Sequence, residues 1–180
     1  MKIIYQKYKD FDKSCIKEID DICFGDVPKE DVIYDFIDNP IGMFLLLNNG
    51  KIIGRVGIHK RVAFYNNQEY VLCGLGGLAV LPEYRNKGYG SKLIRCAINK
   101  MLELKCDVAC MCVDRSKKAY KLYEKFGYVF LNRDAYYIDA LERKKRDDSV
   151  MILGICNKDL ADYILNSNFE FNYGTDKGYW

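Results

Sequence analysis

Apolar and polar positions alternate weakly over residues 2 to 9, the pattern of an edge strand. From Ser14, which can cap a helix, apolar residues recur at helical spacing through Ile16, Ile19, Ile22 and Cys23. Asp26-Val27-Pro28 breaks the pattern, and a second short helix is expected from Asp31 to Ile37, stopped before Pro40. Strand signals then dominate. They run from Met43 to Leu47, Ile52 to Ala63 and Tyr70 to Leu81, joined by turns at Asn48-Asn49-Gly50 and Asn66-Asn67. An Asn-Gly pair between two apolar runs is a strong hairpin signal, so these strands form an antiparallel meander.

After Pro82 the period changes. Leu93, Ile94, Ala97, Ile98, Met101 and Leu102 recur three and four apart, an amphipathic helix of about four turns. Val108 to Val113 is apolar throughout, as expected of a central strand covered on both faces. A helix over Lys117 to Phe126 ends at Gly127, where a left-handed cap is expected. Strands around Tyr128–Phe130, Tyr136–Ile138, Val150–Ile155 and Phe169–Tyr173, with a short helix near Asp159–Asn166, complete the chain. No repeat, low-complexity segment or linker interrupts it. The expectation is one α/β (α+β) domain over residues 1–180, a mixed, largely antiparallel sheet flanked by helices.

Composition narrows the function. At 180 residues, 49% hydrophobic and 29% charged, the chain suits one globular domain rather than a disordered one. A net charge of +3 is too slight to indicate nucleic acid, and the one compact basic run, Arg143 to Arg146, is followed by Asp147 and Asp148 and reads as a solvated loop. Charges stand where a secretion signal needs an apolar stretch, and the longest apolar run, Met43 to Leu47, is far short of a membrane span. A cytoplasmic protein with reduced thiols is expected, its eight cysteines behaving mainly as small hydrophobes. Cys110 and Cys112 share a strand face, no second pair has metal-ligand spacing, and His59 is the only histidine, so no metal is expected.

Candidate chemistry concentrates where a strand ends in a loop that opens the long helix: Leu81-Pro82-Glu83-Tyr84-Arg85-Asn86-Lys87-Gly88-Tyr89-Gly90-Ser91. The first amides of a helix have no intrahelical partners and sit at the positive end of its dipole. Gly88 and Gly90 remove side chains that would hold an anion away, and Arg85 and Lys87 add positive charge nearby. The spacing excludes two familiar phosphate loops. Gly-Lys-Ser/Thr is absent, and Leu93 stands where a dinucleotide fingerprint needs its third glycine. Just upstream, Gly74, Gly76 and Gly77 lie within an apolar strand, where glycine marks a bulge or a close backbone approach.

This Arg-x-x-Gly-x-Gly loop after a strand ending Val-x-Pro, followed downstream by Ala119-Tyr120-Lys121-Leu122-Tyr123-Glu124-Lys125-Phe126-Gly127-Tyr128, resembles the GNAT superfamily of N-acetyltransferases. The resemblance implies acetyl-CoA as cofactor, with its pyrophosphate on Arg85, Asn86, Lys87, Gly88, Tyr89, Gly90 and Ser91. It also implies a splayed pair of central strands, into which the pantetheine arm inserts against the backbone of Leu78, Ala79 and Val80. Tyr123 occupies the position of a tyrosine that protonates the departing sulfur in many members. Ser116 stands where an asparagine often contacts the cofactor. The glutamate that several members carry on the glycine-bearing strand is absent, the candidate positions being Gly74 and Gly76, so the general base is unassigned.

Short stretches also look similar to the aminoglycoside 2′-N-acetyltransferases: Phe24-Gly25-Asp26, Val71-Leu72-Cys73-Gly74, Arg146 to Val150, and Gly178-Tyr179-Trp180. That similarity implies an acceptor site with Asp31, Asp148 and Trp180, although Gly178 replaces an expected aspartate. The resulting expectation is acetylation of a primary amine of a small molecule, aminoglycoside-like or polyamine, by a monomer or homodimer that binds neither nucleic acid nor membrane. The alternative is a domain that binds acyl-CoA without turnover.

Overall fold

A computed structural model describes residues 1–180. Its main sheet has seven strands in the order β1-β2-β3-β4-β5-β9-β6. They are β1 (Lys2–Lys7), β2 (Gly42–Asn48), β3 (Lys51–Tyr65), β4 (Gln68–Val80), β5 (Val108–Cys112), β6 (Val129–Phe130) and β9 (Val150–Gly154). All neighbours are antiparallel except β4 and β5. The Asn-Gly turn closes the first hairpin as expected, with Asn49 at φ 48° and Gly50 at φ 81°.

Helices α1 (Lys17–Phe24), α2 (Lys29–Tyr34), α3 (Tyr89–Glu103), α4 (Tyr120–Glu124) and α5 (Lys158–Asn166) flank this sheet. On one face α3 buries Leu93, Ile94, Ala97 and Met101 in a core shared with Ile19 of α1, Tyr123 of α4 and the β2–β5 side chains of that face. Each large apolar side chain so buried contributes about 1.5–3 kcal/mol. On the other face α5 and the C-terminal residues form a second core around Tyr65, Leu72, Cys110, Phe171, Tyr173 and Trp180.

The structure departs from the sequence expectations in several places. Ser14 does not cap α1. Asp12 accepts from the Ser14 amide at 2.9 Å and starts a short 3-10 turn that leads into the helix at Lys17. Ile22 and Leu102 are 50% and 47% exposed, so the apolar stripes of α1 and α3 are narrower than their spacing suggested. The helix expected from Lys117 shrinks to Tyr120–Glu124, because the Asp114 carboxylate holds the amide and hydroxyl of Ser116 in a turn. Gly127, at φ 89°, takes the left-handed conformation expected of it. The basic run is no loop: Lys144–Asp147 is β8, paired with β7 (Ala135–Ile138), which also pairs in parallel with β10 (Phe171–Asn172). Lysines and arginines suit an edge strand because they oppose pairing with another chain.

Two irregularities around β4 position the site. First, β4 pairs with β5 only at Leu72, Cys73 and Gly74, after which the strands diverge. Second, its register with β3 slips between Arg55 and Gly57, and Gly77 there adopts φ 55°. A Cβ at Gly77 would also collide with the Arg55 guanidinium, so the bulge requires glycine twice over.

Candidate active site

The mouth of α3 is built from the backbone. Asn86 and Gly88 are left-handed, at φ 60° and 77°, with Lys87 between them. That alternation turns successive N–H groups toward a common concavity. No side chain caps α3. Among the hydrogen bonds of the chain, none is donated by the amides of residues 86–91; the first helix-opening bond is from Lys92 to Gly88 O at 3.1 Å. Uncommitted donors at a helix N-terminus are placed to accept an anion. The flanking cations fold away from it. Arg85 Nε donates to Val80 O at 2.9 Å, and Lys87 Nζ donates to Glu83 O at 3.0 Å. The sequence placed their charges in the loop; the structure gives the inner surface to amides. A Cβ at Gly88 would meet nothing within 4 Å, while one at Gly90 would press on Leu122 of α4 at 3.3 Å.

Beside this mouth, Leu78, Ala79 and Val80 lie on the stretch of β4 that no longer pairs with β5. Their other edge is held by β3, with Arg55 opposite Ala79 and Gly54 opposite Val80. The expected splay therefore exists, and it opens next to the amide cradle. Tyr123 of α4 is buried in the core that also holds Ala79, where burial alone raises its phenol above the ordinary value and keeps it protonated. Ser116 is exposed, its hydroxyl committed to Asp114 at 2.7 Å.

The opposite face of β4 carries a cluster that sequence reasoning missed. His59 of β3 is 4% exposed, and its Nδ1 lies 3.0 Å from Asp38 Oδ2. Arg61, two residues on and 3% exposed, also holds Asp38, Nη2 to Oδ2 at 3.0 Å. The same guanidinium donates to the carbonyls of Tyr173, Asp176, Lys177 and Gly178, which secures the C-terminal residues. Trp180 is thereby placed between Arg61, 4.6 Å from its ring centre, and His59, stacked at 5.4 Å and 21°. A Cβ at Gly74 would collide with its indole, and a Cβ at Gly76 would stand 2.8 Å from His59 Nε2. The glycines of β4 are thus covered by groups from β3 and the tail. Period-two spacing places His59 and Arg61 on one face of β3, the only sequence signal for the cluster. Asp38 lies in a loop whose return to the sheet no local pattern encodes.

Burial is the largest influence on His59 and lowers its pKa; Arg61 and Arg55 act in the same direction, against the hydrogen bond and charge of Asp38. For Asp38, burial raises the pKa, but the His59 hydrogen bond and Arg61 outweigh it and hold the carboxyl below its ordinary value.

Of the acceptor residues suggested by sequence, only Trp180 touches this cluster. A cavity of 540 Å³ at the end of β5 is lined by Cys112, Val113, Asp114, Arg115, Asp148, Ser149 and Tyr179. Asp148 is exposed at its edge, and Trp180, next in sequence to Tyr179, is buried. Asp31, on α2, acts by its charge on Tyr137, whose ring packs 5.0 Å from that of Tyr179.

Comparison with known proteins matches residues 6–128 to the family model described as "Acetyltransferase (GNAT) family". The chain is 32% identical over 91 residues to N-alpha-acetyltransferase 30 of Dictyostelium discoideum, covering 50% of this chain and 47% of that protein. It is 32% identical over 95 residues to the human N-alpha-acetyltransferase 30, covering 52% of this chain and 24% of the human protein. The chain thus spans half or less of the curated relatives it matches. Among solved structures, the ribosomal-protein-S18-alanine N-acetyltransferase of Escherichia coli superposes with a TM-score of 0.56 at 19% identity, over 86% of this chain and 94% of that one. A chain of the NatC complex bound to Gag peptide and CoA gives 0.54 at 20% identity, over 86% and 99%. At these identities the structural likeness establishes the fold.

Proposed function

Because the chain belongs to the GNAT acetyltransferase family, we propose that it is an acetyl-CoA-dependent N-acetyltransferase whose acceptor is the α-amine of a peptide or protein N-terminus. The observation that carries the cofactor half is the run of amides at residues 86–91 without acceptors, beside the unpaired edge of β4. The diphosphate of acetyl-CoA sits on those amides, and its pantetheine arm runs along Leu78, Ala79 and Val80 with its own amides completing the open edge. Ser116 borders the cofactor on the β5–α4 loop. Tyr123, held protonated by burial, donates to the departing thiolate.

Two supports favour an N-terminal amine. The relatives matched over half the chain are named for N-terminal acetylation. An α-amine, with a pKa near 7.7–8.0, loses its proton at pH 7 for about 1 kcal/mol, whereas a lysine-like amine near 10.4 costs about 4–5 kcal/mol. A site whose β4 bears no carboxylate along the glycine-bearing segment 71–80 is better matched to the easier acceptor. Val32, Ile33 and Phe36 are exposed on and just after α2, and Phe36 packs 5.0 Å from Tyr179, giving an apolar rim for the first side chains of a peptide.

A small polycationic amine is the second reading. Asp114 and Asp148 line the cavity beside Tyr179, the arrangement a polyamine or amino sugar would use. Incubation with acetyl-CoA and a panel of N-terminal peptides, polyamines and aminoglycosides, read by mass spectrometry of the products, decides between them. Peptide α-acetylation supports the first reading and amino-sugar acetylation the second. Tight acetyl-CoA binding with no product from any amine points to a non-catalytic acyl-CoA binder. Mass detection is needed because Cys15 and Cys156 are exposed and would react with a thiol reagent.

A further inference from the structure

We propose that His59, oriented by Asp38, is the general base that takes the proton of the acceptor ammonium, standing where β4 lacks a side chain at Gly76; this rests on the acetyltransferase reading above. The first support is direction. His59 makes its one side-chain hydrogen bond through Nδ1, to Asp38, and leaves Nε2 without a partner. That nitrogen lies 2.8 Å from where a Cβ at Gly76 would stand, so imidazole and a Gly76 side chain are alternatives for the same space.

The second support is place. Gly74 is the last β4 residue paired with β5, and Gly76 lies just inside the divergence. An arm that begins at the amides of residues 86–91 and follows β4 inward past Val80 and Leu78 brings its thioester toward this closed end of the splay. Trp180, stacked on the imidazole and packed over Gly74, fixes the ring plane and keeps water from that side.

The third support is protonation. Asp38 is kept ionised by His59 and Arg61, so it accepts a hydrogen bond from Nδ1–H and leaves the lone pair on Nε2. The charged side chains acting on the ring are Asp38 from its loop and Arg61 and Arg55 from β3; none lies on the β4 segment 71–80. From the C-terminal segment, the main-chain carboxyl of Trp180 lies beside Gly76 on the Nε2 side, and Asp176 approaches Arg61 at 4.0 Å. Burial and the two arginines keep the ring neutral at pH 7. Once it accepts a proton, Asp38 stabilises the imidazolium, as the orienting carboxylate does in a catalytic triad.

The step balances. One N–H bond of R–NH3⁺ breaks and its proton moves to Nε2. The freed nitrogen pair forms the C–N bond to the thioester carbon, and the carbonyl π pair moves to oxygen. Collapse restores the carbonyl and breaks C–S. A second proton leaves nitrogen, and the sulfur is protonated through the Tyr123 hydroxyl. The Nε2 proton returns to water, so the products are the amide, the thiol and one H⁺.

Because His59 is the only histidine, long-range ¹H–¹⁵N NMR of the whole chain reads its tautomer without ambiguity. The expected result is Nδ1–H with a bare Nε2, titrating below the ordinary 6.5. His59→Gln should lower kcat/KM for a peptide substrate with a free N-terminus by about 100-fold or more and remove the acid limb of its pH profile, with acetyl-CoA affinity unchanged within about twofold. In His59→Ala, the added change Gly76→Glu should recover about tenfold or more of the lost turnover, with an acid limb displaced toward the carboxylate range. An Nε2–H tautomer overturns the proposal. So does a His59→Gln protein that turns over within about threefold of wild type with its acid limb intact; acetyltransferase activity then stands without this base. If His59→Gln fails to fold, the tautomer and the His59→Ala/Gly76→Glu pair decide. If the wild-type chain acetylates nothing, the enzyme reading fails and the base falls with it.

Discussion

Replacing Gly88 by valine tests the cradle at its most constrained point. In the free protein a Cβ at this position meets no atom within 4 Å, so the substitution creates no clash. The cost is conformational. Gly88 sits at φ 77°, and a side chain held in that region costs about 1–2 kcal/mol, more for a β-branched residue. The loop relieves this strain by rotating toward negative φ, which turns the neighbouring amides out of the concavity. An amide hydrogen bond to a charged group is worth about 1.5–3 kcal/mol, so misdirecting one weakens acetyl-CoA binding by about 10- to 150-fold. Titration calorimetry with acetyl-CoA measures the loss. Acetyl-pantetheine, which has no diphosphate, is the control and should serve as acyl donor equally poorly for both proteins. An unchanged acetyl-CoA affinity in Gly88→Val, or an equal loss with acetyl-pantetheine, refutes the placement of the diphosphate on these amides.

Other expectations follow from the same geometry. Tyr123→Phe should lower kcat about 100-fold while leaving the acetyl-CoA dissociation constant unchanged, measured by steady-state kinetics beside calorimetry. Arg61→Met removes the buried partner of Asp38 and of four tail carbonyls, and should cost about 3–5 kcal/mol in denaturant unfolding. Stability should also fall on acidification. His59 and Asp38 both have folded pKa values below their unfolded ones, so the unfolded chain binds more protons as pH drops. The loss begins as pH passes below about 6.5 through His59 and deepens near the ordinary 3.8 of aspartate; denaturant melts of His59→Gln should lack the first step.

The backbone geometry of the proposed cofactor loop was legible because it is local. Arg85 to Ser91 lie in one loop, glycine spacing reports backbone conformation, and the period change after Pro82 announces the helix that the loop opens. The three-glycine stretch of β4 correctly signalled a bulge, and Gly77 at φ 55° is its centre. The proposed acceptor half was mostly illegible because it is assembled from separated segments. Asp38, His59, Arg61 and Trp180 span the chain, and only the sheet register and the guanidinium of Arg61 bring them together. Strands were legible near Tyr136–Ile138 and Phe169–Tyr173, where β7 and β10 lie, but β8 escaped: its four residues are all charged and carry no apolar period, and pairing with β7 decides its state.

The bare surface of β4 and the filled surface facing it explain one another. A strand that carried its own carboxylate at position 74 or 76 would exclude Trp180 or His59, since a single Cβ already meets their rings. With glycine at both positions, the polar chemistry moves to β3, where His59 lies opposite Gly74 and Arg61 two residues further along. Arg61 then does double duty. It keeps Asp38 charged, which sets the His59 tautomer, and it fastens the tail whose tryptophan covers Gly74. The order of dependence is therefore fixed. Adding a side chain at Gly74 should displace Trp180 and loosen the His59 ring while leaving the Asp38–Arg61 ion pair in place, whereas removing the Arg61 charge should disturb Asp38 and the tail together.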